Sequence, residues 1–311
     1  MIPFIGRIET PEQETWIRLL SSSMPDESIL PLADLTKEQK ENCDIAIVAN
    51  PDPRDLLTLP NLKWVHSLWA GVEGMMNELS LPSFSIVRLI DPDLAQTMSE
   101  AVLAWTLYLH RDMPIYAKQQ SERTWIQQPM VRAQERRIGV LGLGALGKLS
   151  AERLVANGFS VAGWSRSEKN IEGIDCFHGD EGLASLLVQS DILICLLPLT
   201  TYTQGLVNHQ TLSLLPTGAS LINFARGPII DDNALLEMLD QRLISHAVLD
   251  VFMQEPLPEN HPYWINDRVT VLPHISAPTH PMSACEIVAK NINHYRLTDE
   301  MPTTVDPVQG Y

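Results

Sequence analysis

The sequence predicts an α/β protein with two doubly wound parallel sheets, each in a domain of its own. Short apolar runs recur along the chain and are continuous rather than alternating, which is typical of parallel strands covered by helices on both faces. Segments with a helical pattern lie between them, so strand and helix alternate. A chain of 311 residues has room for two such domains. The apolar runs lie at residues 45–48, 62–69, 85–90, 137–142, 160–164, 191–197, 220–225, 247–252 and 269–274.

The two domains are expected to meet near the middle of the chain, in residues 96–136. There AVLAWTLYL predicts a long buried helix and RTWIQQPMVRAQE an irregular connector. We expect three or four strands before this region and six after it. Beyond Pro278 a helical pattern returns, and we expect this tail to pack on the first block. The predicted domains are residues 1–97 with 279–311, and residues 98–278.

Composition excludes several classes of protein. Hydrophobic residues make up 45% of the chain and charged ones 19%, a balance that allows a buried core. The formal charge of -16 repels a phosphate backbone, so we expect no nucleic-acid binding. No apolar run reaches the roughly 20 residues that cross a bilayer, and the acidic start of the chain lacks a signal-peptide core. We therefore expect a cytoplasmic protein that does not bind membranes.

The cysteines and histidines predict neither a disulfide framework nor a metal site. The 4 cysteines lie far apart and form no C-x-x-C pair. The 9 histidines show no paired ligand spacing, and Pro278 interrupts the stretch between His274 and His280. We expect no structural metal.

A glycine-rich turn follows the apolar run at residues 137–142. Its G-x-G-x-x-G pattern consists of Gly142, Gly144 and Gly147. In a dinucleotide-binding unit these glycines permit a tight turn, let a pyrophosphate approach the backbone, and allow the helix to pack closely on the sheet. The N-terminus of that helix supplies N–H groups and a positive dipole end for the anion. The strand before and the helix after favour a Rossmann dinucleotide site over a glycine turn without a ligand.

The end of the second strand of this unit favours NADP(H) over NAD(H). NAD-binding units usually place Asp or Glu there, about 20 residues into the motif, to bind the ribose 2′-hydroxyl. This chain instead has Trp164, Ser165, Arg166 and Ser167. Arg166 can bind a 2′-phosphate through its planar fork of donors, and Ser165 or Ser167 adds a hydroxyl. In the alternative, Arg166 is only solvated and Glu168 turns inward, so NAD(H) stays possible.

Three polar residues downstream suit hydride transfer to an oxo acid. Arg226 ends an apolar strand, and its guanidinium suits a bidentate grip on a carboxylate. His274 follows another strand, and imidazole exchanges protons near neutral pH. If Glu255 pairs with His274, its charge favours imidazolium and fixes the ring. Taken singly, each has a structural alternative: a surface ion pair, a loop carboxylate, a satisfied histidine.

The order of the motifs resembles that of the D-isomer-specific 2-hydroxyacid dehydrogenase family. LGLGALG, LLPLTTYTQGLVN, NFARGPIIDD, LDVFMQEPLP and VTVLPHIS follow one another over most of the chain. LIDPDLAQTMSEAVLAW, GWSRS, the short length and the final VDPVQGY are similar to the glyoxylate/hydroxypyruvate reductase A branch. The resemblance implies a Rossmann cofactor domain inserted into a flavodoxin-like substrate domain.

The resemblance also implies roles for single residues. Arg226 matches the arginine that holds the oxo-acid carboxylate and carbonyl, His274 the acid/base, and Glu255 its carboxylate partner. Asp250 matches the residue that contacts the nicotinamide carboxamide. The other implied cofactor-binding positions are Pro198, Thr203, Ala145, Leu146, Phe224 and Ala225.

A turn in the first block is the implied second part of the substrate site. Ala70 and Gly71 match the turn whose backbone N–H groups bind the substrate carboxylate, which agrees with the anion-binding property of such turns. Trp69 stands where the family usually has glycine. Its indole either narrows the pocket or fills the core beneath the turn.

The activity that the resemblance implies is the NADPH-dependent reduction of glyoxylate to glycolate and of hydroxypyruvate to glycerate. Two alternatives stay open: a dehydrogenase of the same family for another 2-hydroxy acid, and a non-catalytic NAD(P)-sensing protein. The resemblance further implies a homodimer through the cofactor domain, using the long helix near residues 100–115. Complete burial of that helix within the monomer is the alternative.

Overall fold

The computed structural model describes residues 1–79 and 83–306. By backbone contacts the chain divides into two compact units, Met1–Leu94 with Thr279–Tyr311, and Ala95–Pro278. Residues 307–311, which end the predicted substrate domain and the VDPVQGY motif, lie outside the described residues. The sequence predicts the first boundary between the two domains at residues 97/98, and the structure has it at residues 94/95.

In the described part of the first unit, five parallel strands form one sheet in the order β2-β1-β3-β4-β5. This is the flavodoxin-like order. The strands are β1 (Ile2–Gly6), β2 (Ile29–Pro31), β3 (Ile45–Ala49), β4 (Trp64–Ser67) and β5 (Ser85–Val87).

Seven strands, all among the described residues, form the parallel sheet of the second unit in the order β12-β11-β10-β9-β6-β7-β8. From its first strand β6 the chain adds β7 and β8 on one side, then returns to add the rest on the other, as in Rossmann domains. The predicted fold class is confirmed. The strands are β6 (Arg137–Leu141), β7 (Ser160–Ser165), β8 (Asp175–His178), β9 (Ile192–Cys195), β10 (Ala219–Asn223), β11 (Ile244–Leu249) and β12 (Val269–Val271).

The helices alternate with these strands along the chain. The tail helix packs on the first one and on the first sheet, with Ala284, Val288 and Ile292 fully buried there. In chain order the helices are α1 (Thr10–Ser23), α2 (Lys37–Glu41), α3 (Pro53–Leu56), α4 (Glu73–Glu78), α5 (Pro92–His110), α6 (Met113–Ser121), α7 (Ala145–Ala156), α8 (Gly179–Leu187), α9 (His209–Leu212), α10 (Asp232–Asp240) and α11 (Pro281–Thr298). Among the described residues, no helix is both long and apolar enough to cross a membrane.

Both faces of the second sheet are buried, which explains the continuous apolar runs. In β9, Ile192 and Ile194 face one hydrophobic cluster, while Leu193 and Cys195 face another on the opposite side. Because successive side chains of a strand point to opposite faces, every position must be apolar.

The predicted number of strands is wrong, because β1, β2 and β8 were missed. β2 and β8 are the edges of their sheets, and the residues of β8 are exposed or half-buried, so no apolar run marks them. β1 is buried, but Pro3 and Gly6 interrupt its apolar pattern and are typical of turns.

The predicted long helix is α5, and the irregular connector follows α6 in residues 122–132. Burial of α5 is one-sided, which contradicts complete burial within the monomer. Val102 is in the core, whereas Leu107 is exposed. Part of α5, including Leu107, therefore lies at the surface of the described chain.

Candidate active site

The glycine turn between β6 and α7 has the geometry that its motif predicts. Gly142 has φ +101, and a Cβ there would lie 2.8 Å from the Leu196 carbonyl oxygen. A Cβ on Gly147 would overlap the Gly142 carbonyl, so only glycine lets α7 pack this closely. At Gly144 a Cβ would meet nothing within 4 Å, which leaves the front of the turn open.

The helix that follows the turn presents its first N–H groups beside this open space. Gly144 is the N-cap of α7, and neither the cap nor the first turn carries a capping side chain. Ala145 is exposed and Leu146 half-buried. The free N–H groups of the first helical turn have the arrangement that binds anions at helix N-termini.

The end of β7 lies against the glycine turn. The Gly142 N–H donates to the Trp164 carbonyl at 2.8 Å. The Ser165 side chain is buried, and its hydroxyl donates to the Ser167 carbonyl at 2.6 Å. Arg166 and Ser167 are exposed. Ser165 thus shapes the loop, and Arg166 is an exposed cation directly after β7.

The loop after β9 is held by Thr203. Its buried hydroxyl donates to the Pro198 carbonyl at 2.6 Å and accepts from the Thr200 N–H at 2.8 Å. The side chain of Thr203 therefore fixes the loop from inside. A contact of Pro198 or Thr203 with a cofactor stays a prediction.

A tight turn after β10 carries Arg226. The Asn223 side chain accepts from the Ala225 N–H and donates to the Arg226 carbonyl, both at 3.1 Å. Phe224 and Ala225 are buried in the hydrophobic clusters. The Arg226 guanidinium donates to the Ala225 carbonyl at 2.7 Å. Sequence reasoning missed Asn223, whose signal is an amide at the buried end of a strand.

Gly227 brings the turn after β10 against the loop after β11. A Cβ on Gly227 would overlap the backbone carbonyl of Phe252. The same loop carries Glu255, whose Oε1 accepts from the Phe252 N–H at 3.0 Å. Sequence reasoning missed Gly227 as well, although its position directly after Arg226 was a usable signal.

His274 and Glu255 are hydrogen-bonded, as the sequence hypothesis requires. His274 Nδ1 lies 2.7 Å from Glu255 Oε2, and the two side chains are 55% and 37% exposed. The two side chains are therefore held to each other by a hydrogen bond and remain partly open to solvent. The second ring nitrogen, Nε2, is the atom left to meet a ligand.

Asp250 shapes the turn that carries His274. Its carboxylate, 2% exposed, accepts from the N–H groups of Ile275 at 2.7 Å and Ser276 at 2.9 Å. Its carbonyl accepts from the His274 N–H at 3.0 Å. His274 itself has φ +54, a conformation that non-glycine residues rarely adopt. In this structure Asp250 thus fixes the backbone of residues 274–276 by hydrogen bonds. Its contact with a nicotinamide stays a prediction.

The electrostatics of the pair favour imidazolium beside carboxylate. The hydrogen bond to Glu255 raises the pKa of His274, with help from the charges of Glu255 and Asp250, and outweighs desolvation and Arg226. Desolvation alone would raise the pKa of Glu255. Hydrogen bonds from His274 and the Phe252 N–H, with the charges of His274 and Arg226, lower it below its usual range. Arg226 thus acts electrostatically on both members of the pair.

In the first unit, the turn after β4 is fixed from both sides. The Trp69 N–H donates to the Ser67 hydroxyl at 3.0 Å, and its carbonyl accepts from the Leu89 N–H at 3.1 Å. The Trp69 indole stacks edge-on against Trp16, with ring centroids 5.7 Å apart. This packing favours core filling for Trp69. Ala70 and Gly71, which follow, are half-buried.

A metal site is not evident in the part of the chain that the structure describes. Within it, no group of three or more His, Cys, Asp and Glu side chains is arranged to hold an ion.

The second unit is a Rossmann sheet with an open glycine turn at its first strand. The loops after its neighbouring strands carry Arg226, Glu255 and His274. This arrangement defines the class of nicotinamide-dependent dehydrogenases. Comparison with known families agrees. Residues 103–276 match the model of the D-isomer specific 2-hydroxyacid dehydrogenase, NAD binding domain. The chain belongs to this family of oxidoreductases.

Similar proteins cover nearly the whole chain. Glyoxylate/hydroxypyruvate reductase A of Serratia proteamaculans is 36% identical over 304 residues, 96% of each chain. The structure of a D-isomer specific 2-hydroxyacid dehydrogenase from Xanthobacter autotrophicus Py2 with NADPH and MES is 36% identical, with a TM-score of 0.92 over 100% of this chain and 99% of that one. An NADPH-dependent glyoxylate/hydroxypyruvate reductase from Sinorhizobium meliloti with NADP and sulfate is 30% identical, with a TM-score of 0.88 over 100% and 99%.

Proposed function

We propose that this protein reduces small 2-oxo acids, glyoxylate and hydroxypyruvate, with NADPH. The observation that carries the proposal is the 2.7 Å hydrogen bond between His274 and Glu255. The charge of Arg226 acts on the pKa of both residues. An ion pair of this kind supplies a proton donor next to a cation that binds carboxylates. The names of the similar proteins, glyoxylate/hydroxypyruvate reductases, support the choice of substrate.

The chain fits NADPH as its cofactor. The open space before Gly144 and the N–H groups of α7 suit the pyrophosphate. The exposed Arg166 suits the 2′-phosphate, since the strand end lacks the carboxylate that an NAD site places there. The similar structures that contain NADPH or NADP support the same choice. When bound, the cofactor supplies the hydride.

The residues of this site orient the oxo acid and give it a proton. Arg226 binds the carboxylate and the carbonyl oxygen through its fork of donors. His274, held at Nδ1 by Glu255, donates the proton at Nε2 to the carbonyl oxygen as that oxygen becomes an alkoxide.

The experiment that tests this function is a substrate panel with both cofactors. Oxidation of NADPH, followed by its near-ultraviolet absorbance, is expected with glyoxylate and with hydroxypyruvate, and a lower kcat/KM is expected with NADH. NADPH binding without turnover of any 2-oxo acid would contradict the proposal and favour a non-catalytic sensor. Turnover of only a larger 2-oxo acid would replace the substrate class and keep the chemistry.

The pH dependence of reduction is expected to change in Glu255→Gln. Reduction needs protonated His274, so the rate falls as pH rises through the pKa of that group. Glu255 raises this pKa, and a neutral amide removes its charge. The alkaline limb of kcat against pH therefore shifts to lower pH. Glu259→Gln, an exposed carboxylate in the same loop, is the matched control and leaves the limb in place. An unchanged limb in Glu255→Gln would show that the pair does not set the proton donor.

We also propose a cytoplasmic homodimer. The location is supported by cysteines that are all free, three of them buried. The dimer is supported by large apolar side chains of the connector and α5 at the surface of the described chain. Trp125 is 95% exposed and Met130 86%, and Leu107 and Ile126 are exposed too. Large exposed apolar side chains are typical of an interface where they form one patch.

Charges on the connector are expected to convert the dimer to a monomer. In Trp125→Asp/Met130→Asp, association would bury two carboxylates, which is unfavourable. Sedimentation velocity is expected to give a dimer for the wild type and a monomer for this variant. Ile265→Asp, an equally exposed apolar residue outside the connector, is the control and stays dimeric. A monomeric wild type, or a variant that still dimerises, would contradict the assigned interface.

A further inference from the structure

We propose that Tyr202 is a positioning residue for the 2′-phosphate of NADPH: its ring holds the Arg166 guanidinium in place at the adenosine end of the cofactor site. This inference rests on the proposed function, because it assigns a second residue to the same selectivity for NADPH. It adds a residue that no part of the dinucleotide-binding motif includes.

The two side chains meet across the glycine turn. Arg166 Cζ lies 5.9 Å from the centroid of the Tyr202 ring, within the range of a cation–π contact. Arg166 follows β7 and Tyr202 lies in the loop after β9. These strands flank β6 on its two sides, and β6 leads into the glycine turn. The contact thus connects the two loops that border the proposed pyrophosphate site.

The position of the tyrosine has no packing explanation. Its side chain is 74% exposed, whereas large aromatic residues usually bury most of their surface. The neighbouring Thr203 is buried, and its hydroxyl donates to the Pro198 carbonyl. The N–H groups of Thr203 and Gln204 both donate to the Thr200 carbonyl, at 3.1 and 3.0 Å. Hydrogen bonds therefore fix the backbone of the turn that carries the exposed ring.

The loop on the other side is fixed as well. The buried Ser165 hydroxyl donates to the Ser167 carbonyl, so the backbone that carries Arg166 is closed into a tight turn. An exposed arginine loses much side-chain freedom when it binds a phosphate. A ring that already restricts the guanidinium reduces that loss, and preorganisation of this kind strengthens binding.

The inference predicts an effect that depends on the 2′-phosphate. In Tyr202→Ala the Kd for NADPH is expected to rise about two- to fivefold, the range of an exposed cation–π contact. The Kd for NADH, which has no 2′-phosphate, stays the same. Tyr202→Phe keeps the ring and restores tight NADPH binding. In the Arg166→Ala background, Tyr202→Ala does not change the Kd for NADPH further, because the guanidinium that the ring contacts is absent.

The test is calorimetric measurement of Kd for NADPH and NADH with the full-length wild type, Tyr202→Ala, Tyr202→Phe, Arg166→Ala and the double variant Tyr202→Ala/Arg166→Ala. Thr201→Ala, the adjacent exposed residue, is the control. Melting temperatures exclude loss of folding as the cause.

Three results would overturn the role of Tyr202. The first is an unchanged Kd for NADPH in Tyr202→Ala, and the second is an equal rise of the Kd for NADH in that variant. The third is a double variant in which the effects of Tyr202→Ala and Arg166→Ala on the Kd for NADPH are additive. Failure of the proposed function has a different signature. It appears as wild-type protein that binds NADPH selectively without turning over any 2-oxo acid, and this binding assay is independent of turnover. An unchanged NADPH Kd in Arg166→Ala would remove the 2′-phosphate site and the role of Tyr202 together.

Discussion

His274→Asn is expected to lower kcat for 2-oxo acid reduction by about 10²–10⁴-fold, the usual contribution of a positioned general acid. The substitution removes the proton donor next to the substrate carbonyl. Asparagine is preferred to alanine because His274 has φ +54, a conformation that asparagine tolerates. The Kd for NADPH is expected to stay near that of the wild type, since His274 is not among the proposed cofactor-binding residues and the proposed pyrophosphate and 2′-phosphate sites lie in the loops after β6 and β7.

The control for this prediction is His209→Asn, which changes an exposed histidine at the start of α9 in the same unit. It is expected to keep wild-type kcat. Pre-steady-state kinetics of both variants would show whether proton transfer or another step has slowed. A kcat of His274→Asn near that of the wild type, in a folded protein, would refute the role of this histidine.

Arg226→Lys is expected to lower kcat/KM by about 10²–10³-fold, the cost of losing a donor aimed at a developing oxyanion. Lysine keeps the positive charge but not the planar fork that binds a carboxylate and a neighbouring oxygen together. Because the charge that acts on His274 and Glu255 is retained, the alkaline limb of the pH profile stays in place. The loss therefore reports geometry rather than charge.

Steady-state kinetics with glyoxylate at several pH values measure both parts of this prediction. Arg111→Lys changes an exposed arginine in the turn between α5 and α6. It serves as the control and is expected to keep wild-type kcat/KM. An Arg226→Lys enzyme with wild-type kcat/KM would mean that the substrate is held by other groups.

Local patterns predicted the parts of the fold that are buried on both faces. β9 and β10 were found from continuous apolar runs because each face of the sheet is covered. β8 was missed because it is an edge strand with half-buried and exposed residues. The glycine turn was predicted well, since its requirements are set by residues within one short segment, Gly142 to Gly147.

The candidate site was predicted in its residues but not in the backbone that positions them. The pairing of His274 with Glu255 was a hypothesis from chemistry, and the structure joins them. The overlap that makes Gly227 necessary involves Phe252, which lies in another loop. The clamp that Asp250 forms on the turn after β12 depends on the parallel pairing of β11 with β12. Such contacts join distant segments, and no local pattern encodes them.

Arg226, Glu255 and His274 are proposed to bind and protonate a 2-oxo acid together. The most direct test is a crystal structure of the protein with NADPH and oxamate, a 2-oxo acid analogue that is not reduced. We expect the oxamate carbonyl oxygen about 3 Å from His274 Nε2 and from the Arg226 guanidinium, with Glu255 still bound to Nδ1. Oxamate bound elsewhere, with both side chains beyond hydrogen-bonding distance, would contradict the claim.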